Sequence, residues 1–149
     1  MTGNPNSTST VVACPACGTN NRVPRAGRGR VRCSKCKADL PWLVVADDAS
    51  FEETVVDSRL PVLVDVWAPW CGPCRAVSPV VESLSREFAG RIKVAKVNSD
   101  ESPAVSARHR VTSIPTLLFY RDGKEVSRLI GARPAAELRS WVSGALTAS

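Results

Sequence analysis

Two apolar runs stand out along the chain: Val62–Trp67, broken only by Asp65, and Ile92–Val97, interrupted at Lys96. Runs this continuous belong to central strands covered on both faces, whereas a strand with one wet face alternates apolar and polar positions. Trp42–Ala46 is a third, shorter strand candidate. After Cys71, residues Val77, Val80, Val81, Leu84 and Phe88 recur at helical spacing, with Pro79 inside the helix, where it removes one backbone hydrogen bond and predicts a kink. Ser50-Phe51-Glu52-Glu53 has the form of a capping box and predicts a helix through about Asp57. Pro103–Arg108 reads as a short helix. Thr116–Tyr120 and Glu125–Ile130 form a hairpin whose turn is supplied by Asp122-Gly123. A last helix starts near Pro134 and carries Leu138, Trp141, Val142 and Ala145 on one face. The predicted order is β-α-β-α-β-α-β-β-α, an α/β class with a mixed sheet between helices.

Upstream of Trp42 the pattern changes. Residues 1–11, rich in Ser, Thr and Asn, are expected to be disordered. Residues 12–40 hold two cysteine pairs separated by the flexible stretch Arg25–Arg30, and the larger domain is expected to span 41–149. Of the formal net charge of +6, all lies in residues 1–46, which carry seven Lys/Arg against Asp39; the remaining 13 Lys/Arg and 13 Asp/Glu cancel. A basic segment can serve nucleic acid, but no aromatic side chain lies among these arginines to stack on bases, so a nucleic-acid partner is not expected.

The two pairs, Cys14-Pro15-Ala16-Cys17 and Cys33-Ser34-Lys35-Cys36, lie fifteen residues apart. Two Cys-x-x-Cys knuckles at that distance can close a four-thiolate tetrahedron around one zinc ion, with Gly18 relaxing the first knuckle. Four thiolates around Zn²⁺ total −2, which also accounts locally for the cations nearby. So short a segment cannot bury a core of its own, and metal binding would supply most of its folding free energy. The rival reading is two further redox disulfides, but these pairs lack a strand-to-helix setting. Six cysteines fit a reducing compartment. No apolar stretch is long enough to cross a membrane, and Met1–Thr10 is polar and uncharged, so a cytoplasmic location is expected.

The third pair sits elsewhere. Trp70-Cys71-Gly72-Pro73-Cys74 follows a buried strand and opens a helix. The positive end of the helix dipole favours thiolate over thiol at Cys71, and the thiolate is the nucleophile of disulfide exchange. Cys71 is expected to be the more exposed attacking thiol, and Cys74, a turn further in, the shielded resolving one. Strand alternation puts Leu63, Asp65 and Trp67 on one face, where burial should raise the pKa of Asp65. His109, flanked by Arg108 and Arg110, is expected to be solvated and without a role.

Trp67-Ala68-Pro69-Trp70-Cys71-Gly72-Pro73-Cys74, followed by Ser113-Ile114-Pro115-Thr116, resembles the thioredoxin family over residues 42 to about 147. With the two knuckles, the chain resembles zinc-ribbon-bearing bacterial thioredoxins, the thioredoxin 2 type. The resemblance implies a thioredoxin fold with an N-terminal zinc ribbon, and protein-disulfide reductase activity through Cys71 and Cys74. It implies that Asp65 shuttles a proton to or from Cys74 with Lys96 as its charge partner; a purely structural buried ion pair is the plainer alternative. It further implies a cis Ile114–Pro115 bond facing the redox pair, with the Ile114 backbone pairing to extended substrate. Trp70, Gly72, Pro73, Ile114, Pro115 and Gly131 complete the implied substrate surface. Ala132-Arg133-Pro134 departs from the Lys-rich stretch that often follows in the family, which bears on partner preference. Expected partners are a thioredoxin reductase, using NADPH, and oxidised proteins; no bound organic cofactor, no membrane and a monomeric form are expected. The alternative is a redox-gated zinc-binding chaperone or interaction protein that uses the basic N-terminal module.

Overall fold

A computed structural model describes residues 9–26 and 29–147. Five strands make the main sheet in the spatial order β3-β5-β4-β6-β7, with β3 (Leu43–Ala46), β4 (Val62–Trp67), β5 (Lys93–Asn98), β6 (Thr116–Arg121) and β7 (Lys124–Ile130). The first three run parallel, β6 runs antiparallel beside β4, and β7 antiparallel beside β6 at the edge. Helices α1 (Gly72–Glu87), α2 (Pro103–Arg108) and α3 (Ala135–Thr147) supply the crossovers and the C-terminus. This is the mixed α/β architecture expected, and β4 lies at its centre because its residues can be apolar on both faces. Val62, Val64 and Val66 join one core with Val44, Ala95, Leu118 and Phe51. Leu63 joins the other, with Val77, Val81 and Leu84 of α1 and Leu138 and Val142 of α3. None of the described helices is long and apolar enough to cross a membrane.

Two expectations are corrected. The reciprocal cap lies a turn earlier than the Ser50–Glu53 pattern suggests. Ser50 N–H donates to Asp47 Oδ1 at 3.0 Å and Asp47 N–H donates to Ser50 Oγ at 3.0 Å. Asp47 outcompetes because its carboxylate both caps backbone N–H and accepts from the Ser50 hydroxyl at 2.9 Å. The turn that follows, Glu52–Val56, is wound one residue wider than an α-helix, with Asp57 N–H bonded to Glu52 O. Disorder over 1–11 also fails where it can be checked: Ser9–Thr10–Val11 begin strand β1 (Ser9–Ala13), paired in full register with β2 (Asn20–Pro24). Residues 1–8 lie outside the described segment.

The N-terminal hairpin is seated on the body. Cys14, Val23, Cys33 and Leu40 belong to the same buried cluster as Trp42 and Val44, and Trp42 Nε1 donates to Pro24 O at 2.7 Å. Asp39 is held by Arg30 and Arg32 at 3.5 and 3.8 Å and lies against Gly90, whose φ is +82°. A Cβ on Gly90 would stand 2.6 Å from Asp39 Cγ. Gly90→Ala is therefore expected to cost about 2 kcal/mol, roughly 5 °C in Tm, from the left-handed backbone and the clash together. Calorimetry of this variant with and without Asp39→Ala checks it: the second change should return part of the loss, and two independent, additive losses would show that the contact is not the cause.

Candidate active site and four-cysteine cluster

Cys71 is the N-cap of α1, in extended conformation, and its Sγ accepts the N–H of Cys74 at 3.2 Å. Pro73 follows in the first turn, where a missing N–H costs nothing. Cys71 and Cys74 are joined as a disulfide with their Cα atoms 5.3 Å apart. Both are buried, at 4% and 3% exposure, so the expected contrast between an open outer and a shielded inner cysteine is absent in this oxidised form. The physical reason is cover from both sides: Ala68 sits in the same cluster, with Trp67 and Ile114 packed against it. Gly72 and Pro73 are exposed, and Trp70 is 68% exposed, its Nε1 tied to Asp100 Oδ2 at 2.9 Å.

The loop before β6 faces this pair. Ile114–Pro115 is cis, and Cys71 Sγ lies 3.8 Å from the Ile114 carbonyl oxygen. Gly131, in the left-handed conformation, donates its N–H to Pro115 O at 2.8 Å and so ties the end of β7 to the same turn. A groove of about 530 Å³ opens alongside, lined by Trp70, Ser99, Pro103, Ser106, Thr112 and Ile114.

Asp65 lies in β4, two residues before Trp67, which packs against the Cys71–Cys74 cluster. Asp65 is 1% exposed, and neither carboxyl oxygen has a hydrogen-bond partner among the described residues. Burial raises its pKa from 3.8 to about 6, against the opposing pull of Lys96. Lys96 is opposite Asp65 in the β4–β5 register, with Nζ 4.0 Å from Oδ2, but its hydrogen bond goes to Ser78 Oγ instead. Ser78 is four residues after Cys74 in α1, one turn along the same face.

The second constellation is formed by Cys14, Cys17, Cys33 and Cys36. Their four Sγ atoms lie within 4.8 Å of one another, with Cys14–Cys36 and Cys17–Cys33 each at 3.6 Å, so the set could hold one metal ion. The knuckles are near copies. Gly18 N–H bonds to Cys14 O at 2.8 Å with φ +79°, and Lys37 N–H bonds to Cys33 O at 3.0 Å with φ +69°. The sequence suggested relaxation at Gly18 alone; the second knuckle makes the same turn with a lysine. Asn21, buried, donates to Cys33 Sγ at 3.5 Å and accepts from Ser34 N–H at 2.9 Å, bracing the two knuckles against each other. Together with the Cys36 N–H it draws the Cys33 thiol down to about 6, the Cys36 donor being the stronger influence.

Three polar residues, two of them buried and one half-buried, escaped the sequence reading. His109 is 6% exposed, not solvated: its ring packs on Phe51 and Tyr120, Nδ1–H donates to Val105 O at 2.8 Å, and Nε2 accepts from Tyr120 OH. It falls at the C-cap of α2, which turns its ring inward while Arg108 reaches out to Glu52. Burial accordingly lowers its pKa. Lys93 is fully buried, donating to Thr54 O at 2.8 Å with Nζ 4.4 Å from the Trp42 ring centroid. Burial brings its pKa down to about 8. Ser78 is the third; a serine on a helix face gives little sign of what it will meet.

The thioredoxin family profile matches residues 42–144, leaving the cysteine-bearing N-terminal segment and the last five residues outside. Among curated proteins, a thioredoxin of Synechocystis sp. is 52% identical over 93 residues, 62% of this chain and 87% of that protein. A thioredoxin of Porphyra purpurea is 50% identical over 96 residues, 64% of this chain and 90% of its own length. The M-type chloroplastic thioredoxin of Pisum sativum is 49% identical over 98 residues, covering 66% and 57% of the two chains. With the profile spanning the body from β3 into α3, the chain belongs to the thioredoxin family and is a thiol–disulfide oxidoreductase.

Proposed function

We propose that this chain reduces disulfides in other proteins, and that it is a zinc-ribbon thioredoxin of the thioredoxin 2 type. The position of Cys71 carries the first part: it caps α1, accepts the Cys74 N–H and lies 3.8 Å from the carbonyl oxygen of Ile114, which with Trp70 lines the groove. Once the pair is reduced, the same N–H and the helix dipole stabilise the Cys71 thiolate. That thiolate attacks one sulfur of a substrate disulfide; the substrate S–S bond breaks and the departing thiolate takes up a proton. Cys74 gives its proton to Asp65 and attacks the Cys71 sulfur, releasing the second substrate thiolate and closing the Cys71–Cys74 disulfide. Two electrons have then passed to the substrate, and a thioredoxin reductase drawing on NADPH returns them. Trp70, Gly72, Pro73, Ile114, Pro115 and Gly131 form the contact surface for the substrate backbone.

Reductase-coupled reduction of insulin disulfides tests this. Cys71→Ser should abolish turnover. Asp65→Asn should slow it on the order of tenfold or more near neutral pH and erase the limb of the pH–rate profile that follows Asp65. Retained activity in Cys71→Ser, or an unchanged profile in Asp65→Asn, would remove the corresponding step. The same substitution should stabilise the fold. A carboxyl raised from 3.8 to about 6 binds its proton more tightly folded than unfolded, so stability drops as pH climbs between those values. Above pH 6 the penalty is roughly 3 kcal/mol, which Asn lacks. A buried charge that costs stability but serves proton transfer is what a catalytic role requires.

Zinc is the metal that the donor set favours. A tetrahedral ion about 2.3 Å from each sulfur spaces the sulfurs roughly 3.8 Å apart, and the observed separations bracket that value. Bound there, it would tie residues 12–40 together as a ribbon on the 41–149 body. The free thiols of such a protein belong in a reducing compartment, here assigned to the cytoplasm, and the chain works as a monomer. A second reading rests on the shared core. Cys14, Cys33 and Leu40 are buried with Trp42, so oxidation that expels the metal would uncover an apolar surface able to bind clients.

A further inference from the structure

We propose that Ser78 and Glu82 are positioning residues for the redox reaction: they hold the Lys96 ammonium between two carboxylates, away from direct contact with Asp65. The inference rests on the proton-transfer role given to Asp65 above.

Lys96 Nζ donates to Ser78 Oγ, and the Ser78 hydroxyl points on to Glu82 Oε2 at 3.5 Å, while Asp65 Oδ2 stays 4.0 Å from Nζ. The ammonium therefore spends a hydrogen bond on a neutral hydroxyl backed by a carboxylate, although a buried carboxylate without a hydrogen-bond partner is within reach. Left to itself, a charge-assisted contact with Asp65 would be the stronger bond. Ser78 and Glu82 stand one turn apart on α1, and Glu82 and Lys96 both border a cleft of about 410 Å³ between α1, β3 and strand β1 of the cysteine-bearing hairpin. Glu82, half-buried at the cleft wall, thus backs the Ser78 hydroxyl that holds Lys96 on the cleft side. The ionisable groups on this side of Asp65 are Lys96 from β5 and, from α1 behind Ser78, Glu82; Cys71 and Cys74 are joined as a disulfide and do not titrate in this form, and Arg86 lies further along the cleft. β6 presents Leu117 opposite Asp65, and α3 brings Leu138 and Val142 to this face of the sheet.

The consequence concerns which pH range the proton acceptor works in. A Lys96 in contact would hold Asp65 ionised and make it a poor acceptor; held off, Lys96 keeps it balanced between its two forms near the working pH. Ser78→Ala and Glu82→Gln should each let Lys96 close on Asp65. Carbon-13 NMR titration of the Asp65 carboxyl in the full-length oxidised protein should then show its midpoint about one pH unit lower. The Asp65-dependent limb of the insulin-reduction profile should move by the same amount. Ser78→Thr, which keeps the hydroxyl, should restore the wild-type midpoint. A midpoint that is unmoved or raised in both Ser78→Ala and Glu82→Gln overturns the proposal. Asp65→Asn separates the two claims: if it leaves the profile unchanged, the proton-transfer reading fails, whereas the NMR midpoints still decide where Lys96 is held.

Discussion

Replacing Cys74 by Ser is expected to stop turnover at the mixed disulfide, with substrate bound covalently to Cys71. The first attack needs only the Cys71 thiolate, its helix-end setting and the groove beside Ile114, and the substitution leaves all of these in place. The second attack needs a sulfur one turn further along α1, and a hydroxyl at that position is too weak a nucleophile to replace it. Steady-state insulin reduction should fall on the order of 1,000-fold or more while the rate of the first attack changes only a few-fold. An oxidised peptide substrate should appear in the mass spectrum as one adduct per chain, released by excess dithiol. Normal turnover, or an adduct on another cysteine, would overturn the assignment of roles. The backbone N–H of residue 74 survives the change, so loss of the resolving step cannot be confused with loss of the Cys71 cap.

Removal of the metal should have the largest effect on stability. The paired knuckles bury little of their own, and binding to such thiolate sets contributes on the order of 10 kcal/mol or more. Elemental analysis should find one zinc per chain, lost in Cys33→Ser. In the intact reduced protein a thiol reagent should find two fast cysteines, and six after chelation. The Trp42 indole bonds to Pro24 O, so its fluorescence should shift as the hairpin lets go, while the far-UV signal of the β3–β7 sheet persists. Six fast thiols without metal in the native protein would overturn the ribbon assignment. Insulin reduction surviving the loss of zinc would place the hairpin outside the chemistry; client binding gained on loss would favour the redox-gated reading.

What the sequence disclosed follows from where local pattern and tertiary need coincide. Val62–Trp67 can only be a central strand, and a lone Asp65 within it must be buried; both are so. From β3 to α3 the order of elements was legible for the same reason, with a wider π turn where the first helix was expected; the β1–β2 hairpin was not, since its strands are short and partly polar. The cap at Asp47 was hidden because Ser50 fits either end of a box, and only the carboxylate's second hydrogen bond decides. Lys93 was hidden differently. It is a second lysine in the run that contains Lys96, but on the opposite face, and nothing local says that a carbonyl from Thr54 and an indole from Trp42 await it. His109 between two arginines reads as surface until α2 ends and turns it under Phe51. Ser78 was illegible because its partner comes from another strand. Polar residues whose meaning depends on a distant neighbour are the ones a one-dimensional pattern cannot resolve.

Leu40 and Trp42 are both buried and flank Pro41, so no slack connects the cysteine knuckles to the first strand of the sheet. The two halves must tumble as one body, and the knuckles cannot fish for partners on a tether. Any protein that touches both must meet them at a fixed spacing.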